Sequence, residues 1–360
     1  MSRTDCAPGS QPDWSHEELR VVRGTRTHVT IAVAVHSTAR GPAIGGCRIK
    51  SYPSWRDGVD DVLRLAEAMT LKCALAGLPH GGGKTVAILP GEEMTAANRV
   101  ALITDIADVI AGLNGRYVSG PDIGTSSDDM ALIHRLTGGH ALCRPEAEGG
   151  SGNSNAATAR GVVAALHAGL RHRVGTDSVS GRRVGVIGYG NVGRLVAAAV
   201  AREGAQVIVT DVNPLRRRDV ERDGLEWATT NLLRNELDVL VPAATGGLLT
   251  RETALTIEAG LIVGPANNQI ADEAAEAILH DRSITWIPDV LGSAGGIVYA
   301  VSRERLHMDD ESANARVDAI GANVSSVLAH SRATSVTPMR AAQNIAFDGP
   351  AKDEKILTHG

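Results

Sequence analysis

Two spacings of apolar residues predict the secondary structure of the first half of the chain. Apolar and polar residues alternate from Leu19 to about Lys50, as they do in half-buried strands. After Ser54 the apolar residues recur at the three-to-four-residue spacing of an amphipathic helix that reaches Met69. A short strand is predicted further along, at residues 117–118. This mixture indicates an α/β domain.

The second half alternates between short apolar segments and helical segments. A Gly/Ser/Asn-rich stretch at residues 149–155 precedes it and is typical of a domain boundary. Continuously apolar strands are predicted at residues 183–187, 206–210, 238–241, 260–263 and 285–287. Strands of this kind, separated by helices, predict a parallel sheet that helices cover on both faces.

These patterns predict an α/β protein of two domains, as a chain of 360 residues is too long for one ordinary core. We expect the first domain to cover residues 1–148. The second, a doubly wound Rossmann-type domain, covers residues 149–324. We expect the polar, helical C-terminal region at residues 325–360 to join the first domain.

Composition and charge exclude several classes of function. The net charge of −5 argues against nucleic acid or an anionic membrane as the main partner. No apolar run approaches the roughly 18 residues that span a bilayer, and the N-terminus has no apolar signal region. The four cysteines form no CxxC pair and no Cys/His spacing typical of a metal site. We therefore expect a cytoplasmic protein without a metal.

A glycine-rich turn in the second half has the form of a dinucleotide-binding fingerprint. It reads Gly188-Tyr189-Gly190-Asn191-Val192-Gly193, directly after a predicted strand and at the start of a predicted helix. The first glycine makes the turn, the second lets a pyrophosphate approach the backbone, and the third lets helix and strand pack closely. The helix N-terminus supplies N–H donors to the anion. The alternative is a glycine turn of another α/β unit.

The strand after this fingerprint ends in Asp211, which favours NAD over NADP. Its carboxylate can accept hydrogen bonds from a ribose 2′-hydroxyl and would repel a 2′-phosphate. Three arginines at residues 216–218 lie just downstream and could meet a 2′-phosphate. We favour a solvated charged face for these arginines.

Lys72, Lys84 and Asp122 are the candidates for catalysis in the first half. Lys72 interrupts an apolar helical pattern, Lys84 directly follows the glycines 81–83, and Asp122 comes at the end of a strand. Three glycines before a lysine predict a loop that lets the backbone approach a small anion. Two nearby, partly buried lysines would lower each other's pKa, so one could act as a general base while the other holds a carboxylate. The alternative for each residue is a surface charge.

Two further segments follow strands of the predicted parallel sheet, at the edge where ligands bind. Asn267 and Asn268 follow the strand that ends near Val263, and their amides can bind an amide or a carboxylate. A helix-capping turn is the alternative. The other segment, residues 292–296, is a small-residue turn between strand and helix.

Together these residues resemble the glutamate/leucine/phenylalanine/valine dehydrogenases, and among them the valine, leucine and phenylalanine enzymes. The resemblance extends from about His28 to Ser302. It rests on Lys72 and on residues 34–39, 41–46, 81–84, 122–125, 188–193 and 266–269. It implies the NAD-dependent, reversible oxidative deamination of an L-amino acid to a 2-oxo acid and ammonia. It also implies a substrate-binding first domain through which the chain forms a homo-oligomer, and a cleft between that domain and the NAD domain.

The resemblance also implies a role for individual residues. Lys72 would bind the substrate carboxylate, Lys84 would be the general base that activates water, and Asp122 would shuttle protons to and from the amino group. The remaining positions would line the substrate site (Gly45, Gly46), help to hold the carboxylate (Asn268), or contact the nicotinamide or adenosine parts of NAD (Asn267, Thr158, Ala243, Ala244).

Four apolar positions match residues that contact the substrate side chain in this family. These are Ile44, Gly120, Ile297 and Ala300. They predict an apolar substrate, branched-chain or aromatic, because a side-chain carboxylate would have no partner. The chain departs from the family pattern at Ser293, Cys47 and Pro121. A specialised-pathway enzyme with an unusual substrate, or a catalytically silent NAD-binding homologue, are the competing hypotheses.

Overall fold

A computed structural model of the chain describes residues 15–89, 91, 96–244 and 246–348. The chain folds into two compact units. Of the described residues, the first unit contains those up to 70 together with those in the range 79–141, and the second contains 71–78 together with those from 142 onwards.

The first unit is a five-stranded mixed sheet with helices on both faces. Its strands and helices are β1 (Glu18–Arg23), β2 (Thr30–Ser37), β3 (Ala43–Ser51), α1 (Trp55–Leu75), β4 (Gly81–Leu89), α2 (Ala96–Ala111), β5 (Tyr117–Pro121) and α3 (Ser127–Thr137). The strand order is β1-β2-β4-β3-β5. The β1–β2 and β2–β4 pairs are antiparallel, and β3 runs parallel to both of its neighbours. The last turn of α1 belongs to the second unit.

Alternation along β2 explains why helices cover both faces of this sheet. Ile31 and Val33 pack with α2 and α3 side chains in one core, whereas Ala32 and Ala34 pack with residues of α1 in another. Successive side chains of a strand point to opposite faces. The unbroken apolar run of residues 31–35 in β2 therefore requires a cover on each side.

The glycines 81–83 lie in a buried strand, not in the ligand-binding loop that the sequence predicts. They open β4, the central strand of the sheet. A Cβ at Gly82 would collide with the backbone of Thr70 in α1, and a Cβ at Gly83 would come within 2.7 Å of the Tyr117 ring. The close approach that these glycines permit is thus made by a helix and a tyrosine of the protein itself.

The second unit is a parallel six-stranded sheet of the Rossmann type. Its helices and strands are α4 (Asn155–Val174), β6 (Arg183–Ile187), α5 (Asn191–Arg202), β7 (Gln206–Thr210), α6 (Arg216–Arg222), β8 (Glu226–Trp227), β9 (Leu237–Pro242), α7 (Arg251–Thr256), β10 (Ala259–Ile262), α8 (Glu273–Asp281), β11 (Thr285–Trp286), α9 (Asp289–Gly292), α10 (Gly295–Glu304), α11 (Asp310–Asp318), α12 (Ile320–Thr334) and α13 (Pro338–Gln343). The strand order is β11-β10-β9-β6-β7-β8. The predicted α/β fold is confirmed, and β8 is a two-residue strand that apolar spacing did not reveal.

The C-terminal helices α12 and α13 lie in the second unit, whereas the sequence led us to expect this region in the first. Helix α12 packs on α4, where small residues allow close contact: a Cβ on Gly161 would lie 2.9 Å from Ile320, and one on Gly321 would lie 3.1 Å from the Ala164 carbonyl oxygen. The backbone N–H of Met339 donates to Glu276 of α8 at 2.8 Å. Residues 349–360 of the predicted C-terminal region lie outside the described residues.

Within the described ranges, every helix falls short of the length and apolar character that crossing a membrane requires.

Candidate active site

Lys84 and Asp122 form a buried ion pair in the first unit. The ammonium Nζ of Lys84, on β4, lies 2.5 Å from Oδ2 of Asp122, which directly follows β5. Both side chains are largely shielded, with 8% and 14% of their surfaces exposed. Strand β3 runs between β4 and β5 and carries Gly46 at this level. The structure therefore brings together two of the predicted catalytic residues.

A short polar turn fixes the backbone of Asp122. Its N–H donates to Oγ1 of Thr125 at 2.9 Å, and the Thr125 hydroxyl donates to the carbonyl oxygen of Cys47 on β3 at 2.8 Å. Gly124 in this turn has a φ of 81°, which suits glycine. The segment 122–125 therefore anchors the aspartate to the neighbouring strand.

Charge outweighs burial in setting the ionisation of Asp122. Burial alone would raise the pKa of its carboxyl, but the positive charges of Lys84 and then of Arg48 lower it well below its ordinary value. The Arg48 Nε donates to Asp122 Oδ2 at 3.1 Å. The carboxylate is thus ionised throughout the neutral range and lies between two cations.

Gly46 leaves the space in which this ion pair forms. A Cβ at this position would lie 2.8 Å from the Asp122 Cβ and 2.9 Å from the Lys84 Nζ. We expect Gly46→Ala to lower kcat/KM by roughly 100-fold, because a small displacement of catalytic groups has a large effect on rate. Steady-state kinetics on the folded variant measures this. Gly112→Ala is the matched control, because the one atom that a Cβ there would crowd is the flexible end of Arg20, at 2.9 Å; an equal loss in both variants would contradict the argument.

Lys72 lies in the last turn of α1 and belongs to the second unit. Its Nζ donates to Oγ of Ser293 at 2.8 Å and to Oδ1 of Asn267 at 3.2 Å. Only 8% of the residue is exposed. The Ser293 Oγ lies 2.6 Å from the carbonyl oxygen of Asp289 and 3.1 Å from Asn267 Oδ1, two acceptors for its one proton. Ser293, one of the departures from the family pattern, is therefore a direct partner of this lysine.

The loop after β10 presents Asn267 to Lys72, whereas Asn268 is held by its backbone. Asn268 has a left-handed φ of 55°, and its N–H donates to the buried carboxylate of Asp289. The adjacent Gln269 is fully buried; its amide donates to two loop carbonyls at 3.0 Å, and its Oε1 accepts from Nε1 of Trp286 at 3.0 Å. These bonds give the loop one conformation.

The glycine fingerprint has the geometry of a cradle for a dinucleotide. Gly188 has a φ of 105°, and a Cβ there would come within 2.9 Å of the backbone of Ala243 and Ala244. Helix α5 begins at Asn191 after Gly190, and no side chain of the described residues caps it. A Cβ at Gly190 would have no atom of another described residue within 4 Å, apart from its chain neighbours. The helix N-terminus is thus fit to receive a pyrophosphate.

Asp211 and its surroundings fit the ribose end of such a ligand. Its Oδ2 accepts from the N–H of Tyr189 at 2.6 Å, and Oδ1 accepts from the N–H of Asn213 at 2.8 Å. Two of the three arginines downstream are paired on α6, Arg216 with Asp219 at 3.4 Å and Arg217 with Glu221 at 2.7 Å. These pairs are consistent with the solvated charged face that we favoured.

The remaining predicted site positions differ in how much space surrounds them. Thr158 of α4 packs at the start of α10, since a Cβ on Gly296 would lie 2.7 Å from its hydroxyl.

Gly120 pairs with Gly46 across β3 and β5, and a Cβ there would have no neighbour closer than 3.9 Å. The positions at the apolar wall differ in exposure: Ile44 and Ala300 are fully buried, and Ile297 is partly exposed. Gly45 is confined, because a Cβ there would collide with the Gly83 carbonyl.

Two of the departures from the family pattern have simple structural settings. Cys47 is fully buried in β3, and burial followed by the nearby Asp122 charge raises the pKa of its thiol to about 12, so it stays neutral. Pro121 ends β5, an edge strand, where a residue without a backbone N–H is tolerated. Neither change removes a charge from the Lys84–Asp122 pair.

Sequence reasoning missed three charged residues of these sites: Arg48 and Asp289, which are buried, and Asp61, which is partly buried. Arg48 bridges Asp122 and Asp61, and Asp289 orients the loop that carries Asn267 and Asn268. A charged residue at a buried position of a strand pattern, as Arg48 is in β3, is the signal that could have pointed to the first. In the described part of the chain no group of three or more His, Cys, Asp or Glu residues could hold a metal ion.

Comparison with known proteins gives consistent matches over both units. Residues 15–138 match the model of the Glu/Leu/Phe/Val dehydrogenase dimerisation domain, and residues 149–213 and 210–354 match that of Glutamate/Leucine/Phenylalanine/Valine dehydrogenase. The chain is 35% identical to the valine dehydrogenase of Streptomyces virginiae, covering 92% of each chain. It is 34% identical to the leucine dehydrogenase of Geobacillus stearothermophilus, covering 92% of this chain and 90% of the relative. The crystal structure of L-tryptophan dehydrogenase from Nostoc punctiforme has a TM-score of 0.77 at 28% identity and covers 93% of this chain and 96% of its own.

Proposed function

Because the chain belongs to the glutamate/leucine/phenylalanine/valine dehydrogenase family, and is therefore an amino-acid dehydrogenase, we propose that it catalyses the NAD-dependent, reversible oxidative deamination of an apolar L-amino acid. The products are the 2-oxo acid, ammonia and NADH. The observation that carries this proposal is the buried Lys84–Asp122 pair, with Nζ and Oδ2 2.5 Å apart beside Gly46.

In the proposed mechanism Lys84 and Asp122 move protons. When bound, NAD supplies the acceptor for the hydride of the substrate α-carbon, which leaves a substrate iminium. Once Lys84 has passed its proton to Asp122, it can take a proton from the water that attacks this iminium. Asp122 exchanges protons with the departing amino group. Their direct contact lets a proton pass between them without bulk water.

Lys72 is proposed to bind the substrate carboxylate. Its ammonium already lies among oxygen atoms of Ser293 and Asn267 and is largely shielded from water. A carboxylate that approached it would form a charge-assisted hydrogen bond, which is stronger than one between neutral groups. Ser293 Oγ and the Asn267 amide then orient the ammonium.

The proposed cofactor is NAD, and the proposed assembly is a homo-oligomer. Gly188, Gly190 and the N-terminus of α5, from Asn191 to Gly193, would hold the pyrophosphate, and Asp211 would accept hydrogen bonds from the ribose hydroxyls. Thr158, Ala243, Ala244 and Asn267 would complete the binding site. The match of residues 15–138 to a dimerisation domain supports contact between copies through the first unit.

The substrate side chain is proposed to be branched-chain or aromatic. Ile44, Gly120, Ile297 and Ala300 would contact it, and none of them offers a partner for a carboxylate. The open space at Gly120 supports a substrate larger than alanine. The valine, leucine and tryptophan dehydrogenases among the relatives are consistent with this range.

A panel of L-amino acids with NAD, followed by NADH absorbance, tests both reaction and substrate. We expect kcat/KM for the best of Val, Leu, Phe and Trp to exceed that for Glu by roughly 100-fold or more, since an unpaired carboxylate in an apolar site costs several kcal/mol. A preference for Glu would refute the proposed substrate class. NADH binding without turnover of any amino acid or oxo acid would instead identify a catalytically silent homologue.

A further inference from the structure

Arg48 occupies an unusual place for a charged residue. It lies on β3, one residue beyond the fully buried Cys47, and only 6% of it is exposed. Its guanidinium is shared between two aspartates: Nε donates to Oδ2 of Asp122 at 3.1 Å, and Nη1 donates to Oδ2 of Asp61 at 2.8 Å. Because a buried charge is costly unless it is paired, this geometry holds the arginine in one place.

The second aspartate is itself firmly held. Asp61 lies on α1 and accepts from the hydroxyl of Tyr52 at 2.6 Å and from Nη2 of Arg64 at 2.5 Å. Burial would raise the pKa of its carboxyl, but the Tyr52 hydrogen bond and the positive charges of Arg48 and Arg64 lower it below its ordinary value. Asp61 therefore stays charged and anchors Arg48 through Nη1, while Asp122 accepts from Nε.

We infer that Arg48 is a positioning residue for the proposed reaction: it orients Asp122 and keeps it ionised, while Asp61 and Tyr52 fix Arg48 in turn. This inference rests on the proposed function of the Lys84–Asp122 pair. Arg48 acts through Asp122, which it contacts at 3.1 Å. A guanidinium fork suits this task because it can donate to two carboxylates at once in a rigid geometry.

The charged and titratable groups around Asp122 give this arrangement a pH dependence. These groups are Lys84 on β4, Arg48 and Cys47 on β3, and Tyr117 on β5. Asp61 on α1 acts through its ion pair with Arg48. Burial raises the pKa of both the Cys47 thiol and the Tyr117 phenol, so both are neutral. Lys84 and Arg48 are thus the two cations that lower the pKa of the Asp122 carboxyl.

The balance between burial and the two cations determines the direction in which the pKa of Asp122 changes when Arg48 is substituted. Removing one cation leaves the burial of Asp122 less opposed, so its pKa rises towards or above the ordinary value. Below that raised pKa the carboxyl is protonated and no longer accepts the proton that the mechanism requires. The loss of activity in an Arg48 variant therefore grows as the pH falls.

Arg48→Gln tests the inference through the pH profile of kcat/KM. We expect a loss of roughly tenfold at neutral pH that grows towards roughly 100-fold as the pH falls to about 5, with most of it in kcat. Arg48→Lys keeps a charge but lacks the two-point fork, so it should restore the shape of the profile and only part of kcat. Thermal unfolding of each variant shows that the comparison is made on folded protein.

Arg26→Gln is the matched control. Arg26 also bridges two aspartates of the first unit, Asp105 at 2.9 Å and Asp108 at 2.7 Å, but these do not belong to the site. We expect its pH profile to match that of the wild type. If Arg48→Gln does not fold, Asp61→Asn removes the anchor instead; it keeps both cations beside Asp122, so it should lower kcat without shifting the profile towards higher pH.

Two results would overturn the inference. One is a loss of activity in Arg48→Gln that is equal at every pH, and the other is the same shift in the Arg26 control. The failure of the proposed function has a different signature, because the wild-type protein would then lack turnover with every amino acid. An active wild type whose Arg48→Gln variant keeps the wild-type profile would contradict the inference alone.

Discussion

Replacing Lys84 by alanine is expected to lower kcat by about 1,000-fold or more while leaving NADH binding intact. The variant loses the group proposed to take a proton from water, and Asp122 loses its partner at 2.5 Å. The glycine fingerprint and Asp211 belong to the second unit, so the cofactor site is not altered. Steady-state kinetics with the best substrate and fluorescence titration with NADH measure the two effects separately.

Lys50→Ala is the control for this experiment. Lys50 lies on β3 in the same unit, but its side chain is exposed and its Nζ sits 5.2 Å from the centre of the Tyr52 ring. It should retain activity within about threefold, as surface substitutions usually have small effects. Added primary amines should partly restore turnover in Lys84→Ala, because the cavity left by the side chain can admit a small base. Full activity of Lys84→Ala would remove this lysine from the mechanism.

The parallel sheet could be predicted from sequence because each of its main strands is buried on both faces. In a strand such as β9, residues 239–242 form an apolar segment between helices, and such segments are recognisable without knowledge of their neighbours. The fingerprint at Gly188 was recognisable for the same reason, since strand, turn and helix are contiguous. Features that depend on distant segments could not be predicted in this way.

The glycines 81–83 illustrate that limit. Consecutive glycines indicate that something approaches the backbone closely, but they do not indicate what. Here α1 and Tyr117 make the approach, and both contacts depend on the strand order and register of the folded sheet. The same is true of Arg48, whose partners Asp61 and Asp122 lie 13 and 74 positions away in sequence.

The adjacent asparagines show a second limit. The sequence identifies both as candidates, but it does not reveal that Asn267 contacts Lys72 while Asn268 adopts a left-handed φ of 55°. That conformation is fixed by the carboxylate of Asp289, 21 positions further on. The C-terminal helices are a similar case, because the polar pattern of α12 predicts a helix but does not specify that α4 is its partner.

Lys72→Met is expected to raise KM for the amino acid and for the oxo acid by roughly 100-fold or more, since removing one partner of a shielded charge pair costs several kcal/mol. Methionine is close to lysine in length and leaves no buried charge behind. The affinity for NADH should change little, because the proposed pyrophosphate and ribose contacts lie at Gly190 and Asp211.

Ser293→Ala is the companion variant, because it removes one partner of Lys72 and keeps the ammonium. The Ser293 Oγ lies 2.8 Å from the Lys72 Nζ, while Asn267 Oδ1 lies 3.2 Å away and remains. We therefore expect Ser293→Ala to raise KM by only about three- to tenfold, the net effect of one ordinary hydrogen bond, because Asn267 still holds the ammonium. If Lys72→Met lowered kcat and left KM unchanged, the lysine would act on the reacting atoms and not on the carboxylate. An equal KM effect in the two variants would instead assign carboxylate binding to the serine.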